Sequence, residues 1–505
     1  MADIDFASLA QEQPYVVAAG LGFIGIVLFL LLGRKSYGPV PKHLKSFDRI
    51  PGPVGLPVIG NLLSFHTAKP KAHLTWAEWA KTYGKIYKYS LSGKRFVVVT
   101  DPAALPTVLG SENFSKSPLA TAGEGALSKE AHAGLASAFG PEGAKAQFGT
   151  ALRRAVDLAA KIDKDGPDMP IDMQAALEDA VLDTVLTNAF DATAEKLDAV
   201  RKPLQASLHA ASIQAARPVT NPMGALFGGS ATRDAKADAA WIELVRGLRR
   251  RGPAAKTDAS IAAALSRLTD ADGAPLSDEA LATQAAALTA AALEPTALSI
   301  AWALFSIATT PSLQDGIAKE LSENGLLAHG EDREPRLPEY DDLPKLPYLT
   351  AVIKESQRLF PAAAIGPLRY ADKNTELAGY FIPKGTHIQV PLLALHTAPW
   401  NWPQPERFWP ERWTTPEARG GPKAGTDGLA SAFLPCGASC ISAHVAEAQV
   451  AAFVAVLASR FKMSLSGGGR KAALERQTLD STLRLAGGMK MVFVPRASIG
   501  FSSRL

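Results

Sequence analysis

Two cysteines, Cys436 and Cys440, stand in the run Phe433-Leu434-Pro435-Cys436-Gly437-Ala438-Ser439-Cys440-Ile441 and are the only ones in the 505-residue chain. The stretch AHVAEAQVAAFVAVLASRF follows with helical spacing, so Cys440 closes a loop and opens a helix. A thiolate at a helix N-terminus is favoured by the helix dipole and is a metal ligand, whereas a cysteine taken alone is more often a buried inert thiol. Upstream, Glu355 and Arg358 lie three apart in YLTAVIKESQRLFP. That spacing puts both on one helix face, where they can pair. Most such pairs sit on the surface and contribute little. Between these features lies Phe408-Trp409-Pro410-Glu411-Arg412-Trp413, which on its own reads as a polar loop with aromatic anchors.

The elements that must position these residues are mostly helical. His73 to Tyr83, with Trp76 and Trp79 three apart, predicts an amphipathic helix. Lys85 to Thr100 predicts two short strands around Ser92-Gly93, and Asp101-Pro102 is a helix start. Residues 118 to 300 are Ala-rich with helical spacing, broken by clusters such as Asp165-Gly166-Pro167. Arg246 to Arg251 carries four arginines, read as a solvated helix face, with membrane-surface contact as the alternative. Short strands return from Leu377 to Pro391. No repeat with a 20–50-residue period is present.

With 53 Lys and Arg against 49 Asp and Glu, the net charge is +4, which excludes a strongly basic nucleic-acid binder. A composition of 47% hydrophobic and 20% charged residues excludes general disorder. Two cysteines so close together cannot staple a secreted scaffold, which suggests a reducing compartment. Tyr15 to Gly33 is uncharged over 19 residues. As a helix it is about 28 Å long, enough to cross a bilayer core. Arg34, Lys35, Lys42, Lys45 and Arg49 follow it. The positive-inside tendency keeps them cytoplasmic and turns the acidic tail to the lumen. The expected organisation is a lumenal tail (1–14), a transmembrane helix (15–33), a basic and Pro-rich linker (34–58) and a body (59–505). In the linker, Ile50-Pro51-Gly52-Pro53-Val54-Gly55-Leu56-Pro57 reads as a stiff elbow.

The elbow PGPVGLPVIGNL, the Glu355–Arg358 helix, the run GYFIPKGTHIQV, the PERW segment and the cysteine loop occur in one order. In that order and approximate spacing they resemble the cytochrome P-450 superfamily of haem-thiolate enzymes, over nearly all of the chain after the anchor. The resemblance implies a mainly α fold with small β-sheets, and a membrane-anchored body on the cytosolic face of the endoplasmic reticulum. It makes Cys440 the axial ligand of haem iron and Glu355, Arg358 and Arg412 a buried structural triad. Arg369, in GPLRYA, falls where the family contacts a haem propionate, and His132 falls at an early-helix cofactor position. It implies electrons from NADPH through a flavoprotein reductase, O2 as co-substrate and a small apolar, lipid-like substrate.

The sequence departs from the family pattern at three places. In the haem loop, Cys436, Ala438 and Ser442 replace Gly, Arg and Gly when Phe433 is aligned. Alternatively the loop is three residues short, with Cys436 in place of Phe. Ala136 stands four after His132, where the family has Arg. In the central helix, Ala291-Ala292-Leu293-Glu294-Pro295-Thr296 puts Pro295 where the family has the alcohol that manages protons beside its acid. Glu294 is then the proton-relay acid, and Thr296, one residue past Pro295 and about 100° further round the axis, a replacement alcohol. Three functions remain: a monooxygenase, a haem-thiolate isomerase or dehydratase of oxygenated lipids, and a haem-poor P-450-like membrane protein.

Overall fold

The computed structural model describes residues 39–68, 71–121, 129–167, 169–192, 194–221, 234–251, 260–327, 336–414, 433 and 440–496. The uncharged run 15–33 and Cys436 lie outside the described residues. The fold is mainly helical with small sheets. Its helices include α1 (Ala72–Tyr83), α2 (Lys129–Leu135), α3 (Pro141–Asp165), α4 (Met173–Phe190), α5 (Ala194–Thr220) and α6 (Ala235–Arg249). They continue with α7 (Asp278–Ala308), α8 (Pro311–Glu323), α9 (Pro347–Leu359) and α10 (Ala443–Arg460).

Helix α7 is the axle. Ser277 caps it by accepting from the Ala280 N–H at 3.2 Å, and Asp278 and Glu279 oppose the dipole in its first turn. It is long and apolar enough to cross a membrane, but it is the buried core helix here. Around it pack α4, α6, α9 and α10, and α3 lies against α10. Its least buried face carries Ala291, Pro295 and Ser299. Proline contributes no N–H to the ladder. The helix nevertheless continues through it, and the Ser299 hydroxyl donates to the Pro295 carbonyl at 2.7 Å.

The main sheet has the order β1-β2-β8-β5-β3, from β1 (Ile86–Leu91), β2 (Lys94–Val99), β3 (Phe114–Lys116), β5 (Leu368–Ala371) and β8 (His387–Gln389). Ser92 (φ 49°) and Gly93 (φ 77°) form the hairpin turn between β1 and β2, whose register is Ile86↔Val99. Strand β8 joins β2 in parallel and β5 antiparallel, pairing Arg369 with Ile388. Gly366, at φ +69°, precedes β5, and a Cβ there would stand 1.8 Å from the Val390 carbonyl oxygen. Smaller sheets pair β6 (Thr375–Leu377) with β7 (Tyr380–Ile382), and β4 (Ile171–Asp172) with β12 (Lys490–Pro495) and β9 (Phe461–Leu465). Strands β10 (Gln477–Leu479) and β11 (Leu483–Leu485) form a hairpin.

The expected strands at 85–100 and the helix at 73–83 are present, with Trp76 fully buried. Phe47 and Ile50 are buried in the core under the main sheet, and the Lys88 N–H donates to Pro51 at 2.8 Å. Burial of these two large apolar side chains stabilises the segment against the body.

Candidate active site

Helix α9 begins with Pro347 in its first turn and buries Glu355 and Arg358 completely. The Glu355 carboxylate accepts from Arg358 Nη2 at 2.8 Å and Nε at 2.9 Å. It also accepts from Arg412 Nε at 3.0 Å, the Trp409 backbone N–H at 2.8 Å and Trp413 Nε1 at 3.0 Å. Arg412 is as buried as the other two. The remaining guanidinium N–H groups reach the carbonyls of His396, Pro405, Arg407 and Pro403 at 2.7–3.1 Å. One carboxylate thus ties α9 to the meander at 403–413. Burial pushes the Arg412 pKa down, Arg358 and Arg407 push the same way, and Glu355 opposes them. Next to this junction His396 is fully buried, and its pKa falls to about 3, first by desolvation and then by the Arg358 charge. Its ring lies 5.3 Å from that of Phe433, which leads into the cysteine loop.

Cys440 is half-buried and stands just before α10. Its sulfur lies 3.4 Å from the Ser442 hydroxyl, in hydrogen-bond contact. Ser442 and Thr296 line one narrow recess between α3, α4, α7 and α10, together with Phe139, Gln147 and Val445. Thr296 therefore faces the start of α10. Arg369 is held in β5, 9% exposed, and burial lowers its pKa. A cation with so little water around it is a favourable neighbour for an anionic group. A thiol at a helix start and a buried guanidinium fit a haem with a thiolate ligand and acidic side groups. His132 lies in α2, with its side chain outside the described residues, and Ala136 is exposed at the start of the short 3-10 turn that follows.

Glu294 sits on a different side of α7. It is 4% exposed. One oxygen is 2.6 Å from His209 Nδ1 of α5 and 3.6 Å from Arg484 Nη2 of β11. The other accepts from Ser481 at 2.9 Å and Thr482 at 3.1 Å, both at the tip of the β10–β11 hairpin. Arg484 also donates to Glu178 of α4 at 2.9 Å. Burial pushes the Glu294 carboxyl up, but the His209 hydrogen bond, the Arg484 and His209 charges and Ser481 outweigh it and hold it below its ordinary value. The structure thus separates the acid from the alcohol two residues on. His209 makes the shortest of these contacts with the acid. The sequence carried no signal for Ser481, Thr482 or Arg484. His387 is also a hydrogen-bonded histidine, with Nδ1 2.8 Å from the Ser117 hydroxyl. Among the described residues no group of three or more His, Cys, Asp or Glu could hold a metal ion.

The chain is similar to corytuberine synthase of Coptis japonica, 30% identical over 40% of this chain and 40% of that protein. It is similar to cyclooctat-9-en-7-ol 5-monooxygenase of Streptomyces melanosporofaciens, 34% identical over 38% of this chain and 39% of that one. It is also similar to cytochrome P450 3A5 of Homo sapiens, 37% identical over 28% of this chain and 26% of that one. The matched segments span 26–40% of the length of these curated relatives. The family model described as Cytochrome P450 matches residues 50–486. That match runs from the elbow to the end of the β10–β11 hairpin and takes in both the buried Glu355 junction and the Cys440 helix start; the chain belongs to the cytochrome P450 family.

Proposed function

We propose that this protein is a haem-dependent monooxygenase acting on a small apolar, lipid-like substrate, with electrons from NADPH through a flavoprotein reductase. The observation that carries the reading is Cys440, a half-buried thiol at the start of α10 with a hydroxyl against its sulfur. Bound there, a haem with a thiolate ligand would supply activation of O2 and insertion of one of its atoms. In this reading Cys440 holds the iron, Arg369 meets a propionate, and His132 and Cys436 stand at the edge of the cofactor. The Glu355–Arg358–Arg412 junction keeps the meander in place. Thr296 and Glu294 are the alcohol and acid that hold protons near the site. The uncharged run 15–33 and its basic flank support a single-pass anchor in the endoplasmic reticulum with the body cytosolic. Val54, Leu56, Val58 and Leu63, all large apolar side chains left exposed near that flank, fit a body resting on a bilayer.

The test is the reduced carbon monoxide spectrum of protein expressed with haem supply. A strongly red-shifted Soret band, lost in Cys440→Ala and kept in Cys436→Ala, is expected. Stoichiometric haem without that band would mean a protonated or displaced thiol. A folded, haem-free chain would refute the enzyme reading and leave a P450-like membrane protein.

A second reading is favoured by the absence of a hydroxyl on Pro295 and by the separate directions of Glu294 and Thr296. It is rearrangement or dehydration of an oxygenated lipid, which uses neither O2 nor a reductase. Turnover of a lipid hydroperoxide under anaerobic conditions without reductase separates the two.

A further inference from the structure

Helix α5 meets α4, α6, α7 and the short helix Pro118–Thr121. Its bond to α7 at His209 is unusual in its surroundings. The imidazole is 42% exposed, whereas the carboxylate it touches is 5% exposed. That carboxylate also receives two hydroxyls from the β10–β11 tip and lies near the Arg484 guanidinium. The hairpin has its own ties to the body. The Leu483 carbonyl accepts from Trp302 Nε1 at 2.8 Å, and the Leu485 N–H donates to Gln174 at 2.8 Å. The hairpin and α7 therefore form one unit, and α5 joins it through an imidazole that water can reach.

We propose that His209 is a positioning residue that clamps α5 to Glu294 of the central helix when its imidazole is protonated and loosens that hold when it is neutral.

Geometry gives the reason. Glu294 has Ser481 and Thr482 on one oxygen and the Arg484 guanidinium nearby, so its other oxygen takes its hydrogen bond from His209. An imidazolium gives it a charge-assisted hydrogen bond. A neutral imidazole gives it at most an uncharged hydrogen bond from Nδ1, and with its proton on Nε2 faces it with a lone pair. The His209 pKa is raised, first by the hydrogen bond to Glu294, against desolvation. The Glu294 and Glu178 charges add to the rise, and Arg484 opposes it. Other elements against α5 bring little charge to this point. Pro118–Thr121 carries no titratable group. On α6, Lys236, Glu243, Arg246 and Arg249 are exposed and Asp238 is half-buried. On α4, Asp183 pairs with Arg201 at 2.8 Å and Asp179 accepts from Gln205 at 2.9 Å. A raised histidine pKa means that the clamp is intact below the ordinary value of about 6.5 and is lost as pH rises through the folded-state value.

Hydrogen exchange of the full chain, followed by peptide mass spectrometry and corrected for intrinsic rates, tests this without any haem chemistry. Between about pH 6 and about pH 9, amides of α5 in the wild type should lose roughly tenfold in protection, while α3 and α10 stay constant. His209→Gln, which cannot gain a charge, should show an α5 protection that does not change with pH. His209→Lys, which keeps a cation throughout, should show protected α5 at both. A wild-type α5 that is flat with pH, or a His209→Gln profile equal to wild type, overturns the proposal. So does a loss of protection shared equally by every helix. Should His209→Gln fail to fold, the wild-type pH profile and His209→Lys decide it alone.

Discussion

Replacing Glu355 by Gln removes one negative charge and leaves Arg358 and Arg412 both 0% exposed. The amide keeps a similar volume, so packing changes little and the effect is electrostatic. In the native protein the carboxylate accepts from both guanidinium groups, the Trp409 N–H and the Trp413 indole. A Gln side chain has only one oxygen, and its NH2 must face a guanidinium donor. Breaking a buried ion pair by removing one partner costs about 3–5 kcal/mol. For a chain of 505 residues, an unfolding entropy of about 2.1 cal/mol/K per residue turns that loss into a Tm decrease of roughly 3–5 °C. The loss should be larger in effect on the meander than on α3 or α4, because Arg412 and Arg407 are held there. The assay is urea unfolding followed by tryptophan fluorescence, since Trp402, Trp409 and Trp413 all border the junction. A matched apolar triple variant, Glu355→Leu with Arg358→Met and Arg412→Leu, should be less destabilised than Glu355→Gln, because no buried charge is stranded. A Glu355→Gln midpoint equal to wild type within error would refute the reasoning, since it would mean that water or another anion compensates the two cations.

Two further outcomes are expected. Gly366→Ala should lose at least ~1–3 kcal/mol in the same assay, because its φ of +69° and the 1.8 Å approach of the Val390 carbonyl leave no room for a Cβ. Gly93→Ala, with positive φ but nothing within 4 Å, should lose less and serves as the comparison. In haem-loaded protein, Ser442→Ala should make the iron potential more negative by roughly 40 mV, the equivalent of one lost hydrogen bond of about 1 kcal/mol to the sulfur. A potential unchanged by the substitution would mean that the 3.4 Å contact does not persist against a thiolate.

Local chemistry made much of the fold legible in the amino-acid sequence. The Ser92-Gly93 hairpin, the Trp76–Trp79 helix and the Glu355–Arg358 pair each act within a few residues, where turn preference and helical period decide the outcome. The placement of Cys440 at the start of a helix is of the same kind. What the tertiary structure alone decided concerns burial and partners far apart in the chain. An i,i+3 ion pair has the same sequence on a surface as in a core, and only the packing of Arg412, 57 residues on, makes Glu355 a junction. Phe47 and Ile50 look like part of a linker until the main sheet offers them a core. Glu294 and Thr296 are two residues apart, yet a helix turns them to different neighbours. The partners of Glu294 come from 85, 187 and 188 residues away, through α5 and the β10–β11 tip. A buried carboxylate is stable only if donors surround it, and which donors arrive depends on how distant elements close on the central helix.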